Sequence, residues 1–480
     1  MFFILILSLI FLIIFPFLIF IFHNFTRKIN GIILLILSAI LLLVGIILAP
    51  ELIGIALIFS NIYLIIISFT LVIKISIQSL NVSGLIIVGI AILLGFITNY
   101  VMYNNHNVTW AWGINSYGQL GNGTASSSNI PIRNEKIPYF IKIDSYNEHS
   151  LAVDEDYNAW AWGHNRYGQL GDGTLINEYA PVKVYKIQNI VEVSAGKYHS
   201  LALDKSGSVW AWGDDSFWQL GDEGGGYSEI PYTVSNLTNI IAIDAGYVHS
   251  VALDKSGQVF SWGYNYLGRD LNSYDVSPAI ITNLPKITFI STSEYNTLAL
   301  DENKNVWAWG QNYFGQLGNG TKEMVKYPIK ISTLSSIIAI SSGDTFSFAI
   351  DKDGNSWAFG DNRYGQFGNG TTTSSYVPVQ VNLPFKIKSI QCGSNFCSAI
   401  DIDGNLWSWG SNNGGALGTG KPISYSSAPI KIGSLSNIAE VSSGNSYTIA
   451  LEHPSIPTSY IVMIIIVILL FLIGSIITFM

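Results

Sequence analysis

Ionisable side chains are missing from five long stretches of this 480-residue chain: residues 2–22, 31–49, 52–73, 84–101 and 461–479 contain no Asp, Glu, Lys, Arg or His. Each is near the roughly 20 residues that cross a bilayer as a helix. Transport pathways are marked by ionisable groups within the spans, so their absence argues for anchoring. The first stretch also lacks a basic start and a small-residue cleavage site, and it does not read as a cleaved leader. Five membrane helices are expected, four before the remaining sequence and one after it. Arg27 and Lys28 follow the first stretch and Lys74 follows the third. Keeping these basic loops in the cytoplasm puts the N-terminus and the central region outside and the C-terminus inside.

Catalytic signatures are missing as well. There is no Gly-x-Ser-x-Gly, and glycine turns such as Gly118-Gln119-Leu120-Gly121 lack the Lys followed by Ser or Thr of a phosphate loop. Asp351-Lys352-Asp353-Gly354-Asn355 and Asp401-Ile402-Asp403-Gly404-Asn405 lack the sixth-position Gly and twelfth-position Glu of a calcium loop, and read as hairpin turns. No catalytic residue, cofactor or metal is assigned, and no enzyme is expected. Basic charge is scarce. Of 24 Lys and Arg and 32 Asp and Glu, three bases and one acid lie among the apolar stretches, leaving the rest with 21 bases, 31 acids and a balance of −10. That balance excludes nucleic acid as a partner and argues against an anionic lipid surface. Cysteine is reduced to Cys392 and Cys397. They replace Ala195 and Ser200 of an equivalent segment, and read either as small core residues or as a short-loop disulfide in an exported domain.

What the chain has in abundance is self-similarity. An aromatic pair ending in glycine, Trp110-Ala111-Trp112-Gly113, recurs with Trp160, Trp210, Phe260, Trp307, Trp357 and Trp407 in the lead, at spacings of 50, 50, 50, 47, 50 and 50 residues. Such a period marks a repeat architecture whose units bury their apolar faces against one another. A second segment, typified by Ala195-Gly196-Lys197-Tyr198-His199-Ser200-Leu201-Ala202-Leu203-Asp204, also occurs seven times, with its acid at Asp154, Asp204, Asp254, Asp301, Asp351, Asp401 and Glu452. The Trp110 segment has no such partner before it, and the Glu452 segment has no Trp segment after it. The two halves complete each other, as they do when a sheet built from both chain ends closes a ring. The expected architecture is an all-β seven-bladed β-propeller over residues 105–453, flanked by α-helical transmembrane segments in 1–104 (four) and 454–480 (one).

Within a unit, Ser200–Leu203 reads as a strand, Asp204–Gly207 as a hairpin turn and Val209–Trp212 as the returning strand. Further strands are expected at Ile190–Val193 and just after the recurring proline, at Pro181–Val184, where proline at a strand start costs no ladder bond. Twelve of the 13 Trp lie in the repeated motif, which assigns them to packing between blades. His149, His199 and His249 share one position, held elsewhere by Asn296, Phe346, Phe396 and Tyr447. They are expected to bond neighbouring backbone rather than a metal.

The run Trp162-Gly163-His164-Asn165-Arg166-Tyr167-Gly168-Gln169-Leu170-Gly171-Asp172-Gly173-Thr174, followed by Gly196-Lys197-Tyr198-His199-Ser200-Leu201-Ala202-Leu203, resembles the regulator of chromosome condensation repeat. The resemblance covers about residues 107–453. It implies seven blades with the chain ends sharing one of them. It also implies a function of binding another macromolecule on a propeller face, as in an exchange factor for the Ran GTPase, a plant ultraviolet receptor, ubiquitin ligase components and a β-lactamase inhibitor. The ultraviolet reading fails: the sensing Trp position beside the glycine holds Lys197, Tyr247, Glu294, Asp344, Ser394 or Asn445 here.

Departures from the repeat point to a binding face. The third unit has Phe217-Trp218 in place of Tyr-Gly, and the fourth has Gly268-Arg269-Asp270-Leu271 in place of Gly-Gln-Leu-Gly. Arg166, Trp218, Tyr266, Tyr313 and Arg363 occupy equivalent loops and are of types enriched at protein interfaces. The expected function is a membrane-anchored interaction module displayed outside the cell, binding a protein partner. The alternative is a guanine-nucleotide exchange factor for a small GTPase, with a cytoplasmic propeller.

Overall fold

The computed structural model describes residues 106–134, 137–221, 224–264, 267–269 and 275–453. These form seven four-stranded antiparallel sheets, the blades. Numbered by their Trp segments, blades 2 to 7 are continuous in sequence. Blade 1 is composite: Val108–Gly113 and Ser128–Arg133 form its outer half, and Ile438–Ser443 and Tyr447–Glu452 form its inner half. Val108 pairs with Glu452 and Gly113 with Tyr447, so the expected ring closure is present. The five apolar stretches lie outside the described residues. Among the described residues, no helix is long and apolar enough to cross a membrane.

Blade 3 shows how the sequence makes a blade. Its strands, from the axis outwards, are Ile190–Ala195, His199–Asp204, Val209–Asp214 and Tyr227–Thr233. The second strand is almost wholly buried, because both of its faces pack on neighbouring sheets; this explains its unbroken apolar run. The hairpin turn closes through the Gly207 N–H on the Asp204 carbonyl, with Gly207 at φ 83°. The proline expectation is corrected: Pro181 stands inside the outer strand Glu178–Lys183 rather than before it. That strand is an edge, where a missing N–H leaves no ladder partner unsatisfied.

The two aromatic positions of each unit, Trp except at Phe260 and Phe359, do different work. The first stays at the sheet surface and donates its Nε1 to the unit's own acid, as in Trp160 to Asp154 at 2.8 Å and Trp407 to Asp401 at 2.8 Å. The second is fully buried between blades and donates to the carbonyl of a Gln in the preceding blade: Trp162 to Gln119, Trp212 to Gln169, Trp262 to Gln219 and Trp409 to Gln366, at 2.8–2.9 Å. The glycine that follows the Gln-Leu pair must lie flat on that indole. At Gly171, φ is +67° and a Cβ would sit 2.7 Å from Trp212 Nε1.

The 47-residue spacing has its origin in this loop. Gly268 lies against Trp309 as Gly221 lies against Trp262. The Leu267 carbonyl accepts from Ser261 as that of Leu417 accepts from Ser408. Leu267-Gly268 therefore stands where Leu-Gly is usual, correcting the alignment through Gly268–Leu271, and Arg269 turns back to donate to the Ser261 carbonyl at 2.7 Å. Trp309 Nε1 is buried with no acceptor among the described residues.

Candidate functional site

The antiparallel meander gives the ring two unlike faces. One carries the hairpin turns between the second and third strands, typified by Asp204–Gly207. The chain also enters the ring there at Val108 and leaves it at Glu452. The other, the loop face, carries the turns from first to second strand and the long loops from third to outer strand.

The four described residues of the sequence-chosen set belong to loops of this loop face, one per blade. Arg166 is exposed with its guanidinium 6.0 Å from the Tyr167 ring centre. Tyr313 is 59% exposed. Arg363 holds Asp361 at 2.9 Å and reaches the Phe314 ring of the neighbouring blade at 5.3 Å. Trp218 is half-buried at φ 57°, in the slot that glycine takes at Gly168 and Gly365. Tyr266 lies outside the described residues. The structure spreads the four described residues over four blades around the rim.

What does converge is the inner ring of the same face, formed by first-to-second-strand turns. Tyr146 of blade 2 reaches across the axis and donates to Asp344 Oδ1 of blade 6 at 2.8 Å. The Lys197 ammonium donates to the Tyr247 hydroxyl and lies over two rings, 3.6 Å from the Tyr247 centre and 5.0 Å from that of Tyr198. Tyr247 stacks on Tyr295 at 5.0 Å, and Tyr198 abuts Tyr167 at 4.9 Å. Burial raises the Glu294 carboxyl to about 7, Asp344 adding repulsion and Lys197 opposing. Burial also lifts Glu148 and Asp344 and lowers Lys197. The mouth is thus aromatic and lined by groups whose ionisation burial opposes. Of these, sequence reasoning placed Lys197, Tyr247, Glu294 and Asp344 at the position used to reject a photoreceptor and did not name Tyr146 or Tyr295. The usable signal was a single varying position, directly after glycine, inside an otherwise repeating segment.

The histidines and axial acids are structural. His149 Nε2 lies 2.9 Å from Ser200 Oγ, and His199 Nε2 lies 3.0 Å from Ser250 Oγ. Each serine donates to a Gln carbonyl at 2.8 Å, so its oxygen accepts from the imidazole. The partner is a hydroxyl of the next blade, not backbone as expected. Burial lowers both imidazoles to about 3, which keeps them neutral. A second ring lies around the channel: the Ala195 N–H donates to Asp144, Ala245 to Ser194, Thr292 to Asp244, Ser342 to Ser291 and Cys392 to Ser341, at 2.8–3.0 Å. Cys392 and Cys397, opposite each other on neighbouring strands of blade 7, form a disulfide.

Fold and site together define a closed seven-bladed propeller with a tyrosine-rich, acid-lined mouth on its loop face. A family model described as the RCC1-like domain matches residues 108–450, and the chain belongs to this family. Among solved structures, Prp20p from Saccharomyces cerevisiae, described with its binding properties to Gsp1p and histones, is similar at 25% identity and a TM-score of 0.68, over 76% of this chain and 96% of that one. Yeast RCC1 (Prp20) bound to Kap60 gives 24% identity and 0.67, over 75% and 92%. Human WBSCR16 gives 21% and 0.66, over 73% and 100%. No curated protein matches the chain in a direct sequence comparison.

Proposed function

We propose that the chain is a membrane-anchored interaction module whose loop face binds a protein partner outside the cell. The observation that carries this reading is the convergence of Tyr146, Lys197, Tyr198, Tyr247, Tyr295, Glu294 and Asp344 on one end of the channel. Aromatic and charged side chains held in place by one another are what a recognition surface requires. Protein binding by the similar Prp20 agrees with it. The five uncharged apolar stretches support anchoring, and the Cys392–Cys397 disulfide supports an oxidising compartment. Val108 and Glu452, where the chain enters and leaves the ring, lie on the turn face, opposite the proposed binding face.

The similarity to Prp20p, together with its binding to Gsp1p, favours a second reading: a cytoplasmic propeller acting as exchange factor on a small GTPase. Protease added to intact cells separates the two. Digestion of the ring from outside supports the first reading and eliminates the second, whereas protection until the cells are opened does the reverse. Capture experiments with wild-type protein and a Tyr247→Ala, Glu294→Ala variant then test the face, with loss of the captured partner expected for the variant.

A further inference from the structure

One position breaks the loop pattern in a way that leaves room for a ligand. In five blades a buried Gln fills the base of the third-to-outer loop: Gln119, Gln169, Gln219, Gln316 and Gln366. In each, the carboxamide oxygen accepts the N–H two residues earlier, at 2.9–3.0 Å. The carboxamide nitrogen turns to the residue five earlier in three of them, His164, Asp214 and Asp361. Blade 7 has Ala416 there. Ala416, itself buried against Phe396, lines the floor of an open cleft of 490 Å³ where blades 6, 7 and 1 meet, with Gly414, Ser411, Asn395, Asn445 and Tyr364 among its other walls.

The cleft retains the partners of the missing side chain. Gly414, which stands where Tyr117 bonds Gln119, has an N–H without an acceptor among the described residues, and Ser411 stands where Asp214 and Asp361 bond theirs. Its walls are mostly amides and hydroxyls, with Tyr364, Phe396 and Ala416 and no ionised group. A carboxylate entering it would give up hydration without meeting a cation, whereas a carboxamide would find a donor and an acceptor already spaced for it.

We propose that this cleft receives the Gln or Asn side chain of an extended segment of the protein partner, its carboxamide taking the place that a Gln of the chain itself fills in the other blades. The volume exceeds that of one carboxamide, leaving room for flanking peptide along Asn395 and Asn445. This proposal rests on the reading of the loop face as a protein-binding surface.

The test is calorimetric titration of the purified full-length chain with two blocked tripeptides, acetyl-Gly-Gln-Gly-amide and acetyl-Gly-Glu-Gly-amide. Saturable binding of the Gln peptide is expected, with the Glu peptide at least about tenfold weaker. Ala416→Gln, which refills the site from within, is expected to abolish binding while retaining or raising thermal stability. Ser411→Ala is expected to weaken it severalfold, and stands as the test should Ala416→Gln fail to fold. Equal binding of both peptides, no saturable binding, or binding unchanged in these variants overturns the proposal. A captured partner that Ala416→Gln does not affect leaves the face reading intact and removes the cleft. Gln-peptide binding without any captured partner does the opposite.

Discussion

The indole Nε1 of Trp110 donates to Glu452 Oε2 at 2.7 Å, joining residues 342 positions apart. The same bond is made within a unit by Trp160, Trp210, Trp307, Trp357 and Trp407, each to an acid six residues earlier, at 2.8–3.4 Å. The chain ends therefore close the ring with a contact that other blades use to brace themselves. Trp110→Phe is expected to cost about 1 kcal/mol, the usual net value of a hydrogen bond at a partly exposed site. Trp160→Phe should cost the same in denaturant unfolding. A far larger loss for Trp110→Phe would show that closure depends on this bond rather than on the six-residue ladder from Val108 to Gly113.

Trp309 provides the contrasting case. Its indole is fully buried like those of Trp162 and Trp262, yet its Nε1 has no acceptor among the described residues. Trp262→Phe should cost about 1 kcal/mol, because it removes a buried bond while the Gln219 carbonyl keeps Ser250 Oγ as a donor. Trp309→Phe should be close to neutral. Blade 6 already carries Phe359 at this position, fully buried. Equal losses for the two variants in chemical denaturation would contradict the bonding seen here.

The blade count, the ring closure and the inner three strands were legible because the period, the paired half-units and the Gly turns are local signals that repeat. The outer strand was displaced because an edge position removes the penalty that makes Pro181 look like a boundary. The loop of the fourth blade was misaligned because Leu267-Gly268 satisfies the same Trp packing as Leu220-Gly221 with three residues fewer before it, which no local pattern displays. The rim residues were chosen by type and share a face, whereas the converging pair Tyr146 and Asp344 is 198 residues apart and becomes visible only when the ring is closed.

The disulfide gives a simple test of environment and stability together. Cys392 and Cys397 are buried and enclose a short loop, for which loop-closure entropy is about 2 kcal/mol. Cys392→Ala combined with Cys397→Ala should lower stability by about that amount in oxidising buffer and remove the sensitivity of the melting temperature to reductant. A wild-type melting temperature indifferent to reductant would mean that the bond adds nothing to the fold.

Stability should fall on both sides of neutral pH for separate reasons. Burial lowers His149 and His199 to about 3 and His249 to about 4, from about 6.5 when unfolded. Their contribution is complete above the unfolded value and drains away as pH falls through and below 6. Burial raises Glu192 to about 8, with Asp244 adding repulsion, and raises Asp244 itself to about 7. Their contribution is complete below the unfolded carboxyl value near about 4 and is lost as pH rises through 7 to 8. Glu192→Gln should flatten the alkaline limb of a melting-temperature profile while leaving the acid limb in place. An unchanged alkaline limb would remove Glu192 from this account.

Trp218 separates backbone cost from binding benefit. Its φ of 57° is a left-handed conformation, which glycine adopts freely and other residues adopt at about 1 kcal/mol or more. Trp218→Gly restores the residue found at Gly168 and Gly365, whereas Trp218→Ala keeps the unfavourable φ and loses the indole. The glycine variant should therefore exceed the alanine variant in stability by about 1 kcal/mol in urea unfolding. If the indole contributes to the binding face, both variants should retain less partner than wild type to a similar extent, since both lack the ring. Loss of binding in the alanine variant alone would instead trace the effect to a distorted loop. Undiminished binding in both would restrict the contact surface to the tyrosines around the channel mouth.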